Sequence, residues 1–250
     1  MNGAMEGFYI GDSGVYARLF RPHGVSKCPL VVIFHGIPGN EQNSDLAYAL
    51  RDEGYAVLIP NYNGCWGSNG SYRIQTIPDN VKTVLDYVTE ADFIQTWDID
   101  GDRIGVVGHS LGGWAALISP KISKKIKGII ALDPVANLSV PEGPDMEARM
   151  ASFVIPLKDV TPAQLAEGWK WASHNWQPMD AIKYLDGRYF AVIAASGEDA
   201  LPLDNAVAIY REGKKYTTHA SFWVIDSDHS FVSQRPLLRE VVIAYLDEHL

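Results

Sequence analysis

Short, wholly apolar runs alternate along this chain with stretches whose apolar residues recur at helical spacing, and that alternation limits the folds open to it more than any other feature. Residues 30–34 (LVVIF) form a first such run, ending abruptly in His35-Gly36-Ile37-Pro38-Gly39. Residues 45–53 read as a helix stopped by Gly54, and 55–59 as a strand stopped by Pro60. In 79–93, Val81, Val84, Leu85 and Val88 share one helical face. The run 103–108 is a further strand, followed by a helix over 111–118. Residues 127–132, 189–195 and 221–225 add three strands, and 236–250 closes the chain as an amphipathic helix with Leu237, Val241 and Leu246 on one face. Strands that are apolar on both faces and separated by helices require an α/β fold: a mostly parallel central sheet with helices on both faces.

The rhythm fails between 140 and 186, which holds no strand-like run and carries Pro141, Pro144, Pro156, Pro162 and Pro178. The expectation is a single domain whose core spans 1–139 and 187–250, with 140–186 inserted as a partly helical cap. Thr161-Pro162 suits a helix start, with an N-cap hydroxyl and Pro at the first helical position. That helix would carry Trp169 and Trp171, with Trp176 nearby.

Composition narrows the partners. With 21 Lys+Arg against 30 Asp+Glu the net charge is −9, which disfavours nucleic acid and anionic membrane surfaces. The two cysteines, Cys28 and Cys65, form neither a disulfide framework nor a metal cluster, so no metal and no cofactor is implied. The first residues lack the basic and apolar regions of a secretory signal, and no apolar run approaches the roughly 20 residues of a membrane span. The expectation is a cytoplasmic protein that acts on a small molecule without inserting in a membrane; its oligomeric state is not legible.

Chemistry concentrates in Gly108-His109-Ser110-Leu111-Gly112, a G-x-S-x-G sequence placed where a buried strand ends and a helix begins. So sharp a turn needs minimal side chains two residues either side of the serine, and it exposes the Ser110 hydroxyl at the carboxyl end of the sheet. The Leu111 N–H then sits at a helix N-terminus, where it can face a developing oxyanion. A serine nucleophile needs a base, and the base needs a carboxylate that holds its imidazole in one tautomer. Of seven histidines, His229 in Asp226-Ser227-Asp228-His229-Ser230-Phe231 follows the last strand and precedes the final helix. His109, next to the nucleophile, is expected to point away, and Asp226 and Asp228 to be turn formers.

These residues resemble the α/β-hydrolase fold serine hydrolases, particularly the branch shared by dienelactone hydrolase-like and prolyl oligopeptidase-like enzymes. The resemblance runs from Val31 to Leu138 and from Tyr189 to the end, and is most specific over 97–113 (WDIDGDRIGVVGHSLGG). It implies Ser110 as nucleophile and His229 as base. For the acid, Gly197-Glu198-Asp199-Ala200-Leu201-Pro202 is similar to the family's acidic loop but shorter, which favours Asp199. Asp133, after the 128–132 strand, stands where some members put their acid, and Glu198 is a close neighbour of Asp199. The His35-Gly36 loop implies Ile37, or a nearby glycine, as second oxyanion donor beside Leu111, since Pro38 has no N–H.

In Asn61-Tyr62-Asn63-Gly64-Cys65-Trp66-Gly67-Ser68, asparagine replaces the Asp and Arg of the family's corresponding loop, which weakens any anion-binding role there. Trp66 is a candidate for an acyl pocket, and Trp169 and Trp171 for an apolar lid. The function implied is cleavage of a carboxylic ester through an acyl-enzyme on a Ser110–His229–Asp199 triad. Only 29 residues precede the first strongly apolar run, too few for the gating domain of the peptidases in this branch. An exopeptidase or amidase is therefore the second reading, and an inactive hydrolase-fold binding protein the third.

Overall fold

The computed structural model describes residues 4–138, 145–197 and 199–250. Its sheet has eight strands: β1 (Ala4–Tyr9), β2 (Tyr16–Arg21), β3 (Cys28–Phe34), β4 (Ala56–Pro60), β5 (Ile99–His109), β6 (Gly128–Leu132), β7 (Tyr189–Ala195) and β8 (Ala220–Ile225). Their spatial order is β1-β2-β4-β3-β5-β6-β7-β8. From β4 to β8 every neighbouring pair is parallel, whereas β1 and β2 form an antiparallel hairpin added beside β4. The six parallel strands are the six apolar runs of the sequence. The hairpin escapes that reading because β1 is largely exposed and β2 alternates, so neither forms a continuous apolar run.

The helices are α1 (Ser44–Asp52), α2 (Ile77–Val88), α3 (Ala91–Trp97), α4 (Leu111–Ile122), α5 (Asp145–Met150), α6 (Pro162–Asn175), α7 (Pro178–Ala181), α8 (Leu203–Gly213) and α9 (Arg235–His249). The helix expected over 79–93 is two, because the chain is extended at Glu90 and the Thr89 hydroxyl caps carbonyls of the last turn of α2. One core, holding Leu30, Val32, Val81, Leu85, Val106 and Trp114, fills one face of the sheet. A second, holding Val31, Ile33, Leu46, Leu50, Val107 and Leu246, fills the other. Adjacent residues of β3 and β5 thus point to opposite cores, as strand alternation requires.

Between β6 and β7 the described residues form helices joined by turns and irregular segments and contain no strand. Thr161 and Gln164 form the reciprocal capping box of α6, each side chain accepting from the other's backbone N–H. Gly168 of α6 packs on Ile74 and Gln75, and the Trp114 indole N–H of α4 donates to the Trp176 carbonyl at 2.9 Å. This segment is therefore fastened to one side of the core. Among the described residues no helix is long and apolar enough to cross a membrane.

Candidate active site

Strand β5 runs into α4 through Ser110, whose backbone (φ 59°, ψ −119°) is left-handed and strained for a residue with a side chain. The surroundings hold it there. Its N–H donates to the Leu132 carbonyl at 3.0 Å, and its own carbonyl accepts from Val135 at 2.9 Å. The flanking glycines are sterically required: a Cβ on Gly108 would lie 1.9 Å from the Gly112 carbonyl oxygen, and one on Gly112 would lie 2.0 Å from that of Phe34.

The Ser110 Oγ lies 2.9 Å from His229 Nε2. His229 Nδ1 lies 2.5 Å from Asp133 Oδ2. A donor at Nδ1 leaves Nε2 as the acceptor, the tautomer in which the imidazole can take the hydroxyl proton. Asp133, 1% exposed, follows β6, the strand beside β5, so its carboxylate stands one strand over from Ser110. Backbone N–H groups secure it, from Ala195 to Oδ1 at 3.2 Å and from Leu201 to Oδ2 at 3.0 Å. Three contacts on two oxygens satisfy a carboxylate with little exposure to water.

The structure brings Ser110, His229 and Asp133 together and does not bring Asp199 to the imidazole. Asp199 Oδ1 accepts instead from the His229 backbone N–H at 3.1 Å, and its side chain is exposed. Asp199 stays beside the His229 main chain, while the Leu201 N–H two residues on turns inward onto Asp133. Glu198 lies outside the described residues. Asp228 is a turn former as expected: burial works against its charge, but N–H groups of Val232, Ser230 and Ser233 outweigh it and hold its carboxyl below the usual range.

Ile37 belongs to the loop 36–41 that faces Ser110 across a cavity of about 170 Å³, with His109, His229 and Ser230 on the other side. No partner for the Ile37 N–H occurs among the described residues. The Leu111 N–H opens α4 and so has no carbonyl one helical turn before it. Trp66, 40% exposed, lies outside that cavity's lining; its indole N–H donates to the Pro38 carbonyl at 2.9 Å and ties down the loop. Trp169 and Trp171 pack against the core and do not line the cavity either.

Sequence reasoning missed His109. Its ring does not point away but lies 4.8 Å from the ring of His229, and its Nε2–H donates to the His229 carbonyl at 2.8 Å. Burial, reinforced by the nearby His229, lowers its pKa to about 4 and keeps it neutral. His35 is also buried; its Nδ1–H donates to the Gly36 carbonyl at 2.8 Å, and burial again lowers its pKa to about 4. It orients the loop rather than reaching the serine. Cys65, beneath this loop, has its thiol pushed up to about 12 by burial, which removes it as a nucleophile.

Known proteins resemble this chain in sequence and in fold. The model of the alpha/beta hydrolase family matches residues 31–246. Gastric triacylglycerol lipase of Rattus norvegicus is 29% identical over 162 residues, 54% of this chain and 40% of the lipase. The chain thus spans about half or less of the length of the curated relatives it matches. Among solved structures, Est1E from Butyrivibrio proteoclasticus with ferulic acid bound superposes with a TM-score of 0.75 at 20% identity, covering 97% of this chain and 98% of that one. An esterase of Pyrobaculum calidifontis gives 0.72 at 17% identity, covering 98% and 85%. At such identities the superpositions establish the fold alone, but the family model extends from β3 into α9 across both cores and all of Ser110, Asp133 and His229: the chain belongs to the alpha/beta hydrolase family.

Proposed function

We propose that the protein is a serine hydrolase that cleaves carboxylic esters by acyl transfer, with Asp133 as the acid in place of Asp199. The continuous chain from Ser110 Oγ to His229 (2.9 Å) to Asp133 (2.5 Å) carries this reading. Ser110 attacks the acyl carbon as His229 Nε2 takes its proton, and the Leu111 and Ile37 amides receive the oxyanion. Collapse of the tetrahedral species expels the alcohol, protonated by His229, and leaves an acyl-enzyme. Water activated by His229 then releases the acid. Its likeness to gastric triacylglycerol lipase supports an ester substrate, and its likeness to dipeptidyl-peptidase 5 of Porphyromonas gingivalis, 27% identical over 137 residues, keeps a peptide as the second reading.

A fluorophosphonate probe is expected to label wild type at one site and Ser110→Ala not at all, with p-nitrophenyl acyl esters turned over faster than aminoacyl p-nitroanilides. Labelling of the alanine variant would overturn the nucleophile, and turnover of anilides alone would move the assignment to amide hydrolysis.

A further inference from the structure

The residues before and after Ile37 each have their carbonyl pinned from outside the loop 36–41. His35 Nδ1–H donates to the Gly36 carbonyl at 2.8 Å, and the Trp66 indole N–H donates to the Pro38 carbonyl at 2.9 Å. A trans peptide points its N–H away from its carbonyl, so the first bond sets the direction of the Ile37 N–H, and the second holds the chain on its other side. The loop also stands close against the nucleophile: a Cβ on Gly36 would lie 2.9 Å from Ser110 Cβ.

Trp66 reaches Pro38 from a left-handed backbone, φ 47°, which is costly for a residue with a side chain. A directed chain of hydrogen bonds holds it there. Arg18 donates to Gln42 Oε1, Gln42 Nε2 donates to Asn61 Oδ1 at 3.3 Å, and Asn61 Nδ2 donates to the Trp66 carbonyl at 2.7 Å. No link can be reversed, because a guanidinium and an indole only donate and a carbonyl only accepts. The chain therefore needs an amide at 61. An aspartate there, as in the family's corresponding loop, has no donor for the Trp66 carbonyl when ionised. Asn61 is itself fixed: it is buried, its N–H donates to the Tyr16 carbonyl at 2.8 Å, and its carbonyl accepts from the Ser68 hydroxyl at 2.7 Å.

We propose that Asn61 and Trp66 are positioning residues for the oxyanion hole, which through the Pro38 carbonyl keep the Ile37 N–H where the tetrahedral oxygen forms. This rests on the acyl-transfer reading above. A neutral ester carbonyl gains little from that N–H and the oxyanion gains much, so loosening the loop is felt in the transition state rather than in ground-state binding.

The test sets kcat/KM on p-nitrophenyl acetate beside inhibition by two ketones. In 1,1,1-trifluorobutan-2-one the carbonyl carbon bonds Ser110 Oγ while His229 takes the proton, leaving an oxyanion; butan-2-one binds without that step. Trp66→Phe keeps an aromatic ring at a half-exposed position and loses the N–H. It should lower kcat/KM about tenfold and raise Ki for the trifluoro ketone by the same factor, less than the roughly 10²-fold or more for outright loss of an oxyanion donor. Ki for butan-2-one should stay within about twofold. Asn61→Asp should act alike, and the double variant should fall no more than about twofold below the weaker single, since both work through one carbonyl. Where Asn61→Asp does not fold, Trp66→Phe decides alone. A Trp66→Phe enzyme within about twofold of wild type, equal weakening of both ketones, or single losses that multiply overturns the positioning role while acyl transfer stands. Wild type that turns over no acyl ester and takes no fluorophosphonate overturns the acyl-transfer reading itself.

Discussion

At the scale of single residues, two carboxylates reach His229 and differ in the atom they reach. Asp133 meets ring Nδ1 and Asp199 meets the backbone N–H. Only a ring contact sets the tautomer and stabilises the imidazolium, so the two substitutions should separate cleanly. Asp133→Asn is expected to lower kcat on p-nitrophenyl acetate by about 10⁴-fold, because an amide donating to Nδ1 fixes the wrong tautomer. Asp199→Asn keeps an oxygen for the backbone N–H and should stay within about threefold of wild type. Comparable losses in both would remove the distinction. The sequence offered Asp199, Asp133 and Glu198 and a loop resemblance that favoured Asp199. Each follows a strand, and position along the chain carries no information about which side chain turns beneath the imidazole.

At the scale of elements, the β5–α4 junction was legible because its constraint is local. Two glycines around Ser110 are needed wherever a strand turns this sharply into a helix, and the contacts at 1.9 and 2.0 Å give the reason. A methyl group on Gly112 cannot be relieved by a flexible neighbour, since it meets main-chain oxygens of Phe34 and His35. Gly112→Ala is expected to cost at least about 3 kcal/mol, at the upper end of overpacking penalties, and to lower kcat as α4 shifts. Urea unfolding checks the first effect and ester turnover the second; a variant of wild-type stability and rate would show that the junction has slack. The β1–β2 hairpin was illegible for the opposite reason, its apolar contacts being too sparse to form a run. Between 145 and 185 helix content was anticipated but position was not: α6 and its tryptophans pack against the core, away from the lining of the serine cavity.

At the scale of the whole molecule, two buried neutral histidines make stability depend on acidity. His35 and His109 hold pKa values of about 4 in the folded chain against 6.5 for an ordinary histidine. Between those values the unfolded chain binds protons that the folded chain refuses, so stability falls as pH drops from about 6.5 to about 4 and their contribution levels off below. Each histidine should account for about 3 kcal/mol across that window. Urea titrations at successive pH values should show the decline, and His109→Gln, whose amide nitrogen can occupy the place of Nε2, should remove about half of these histidines' share. An unchanged slope in that variant would mean that His109 takes up protons without opposing the fold.

What the sequence determined by itself was whatever depends on neighbours in the chain: the six parallel strands, the serine between its glycines, and the histidine after the last strand. What only the tertiary structure decided was whatever depends on neighbours across the sheet. Asp133 meets His229 because β6 lies beside β5 and because the last residue of β7 and the loop beyond it turn N–H groups onto that carboxylate. His109 supports His229 because the chain folds back over a separation of 120 positions to the same strand ends. Hydrophobic periodicity and turn chemistry act over a few residues, whereas the pairing of buried polar groups is settled by packing between segments far apart in the chain.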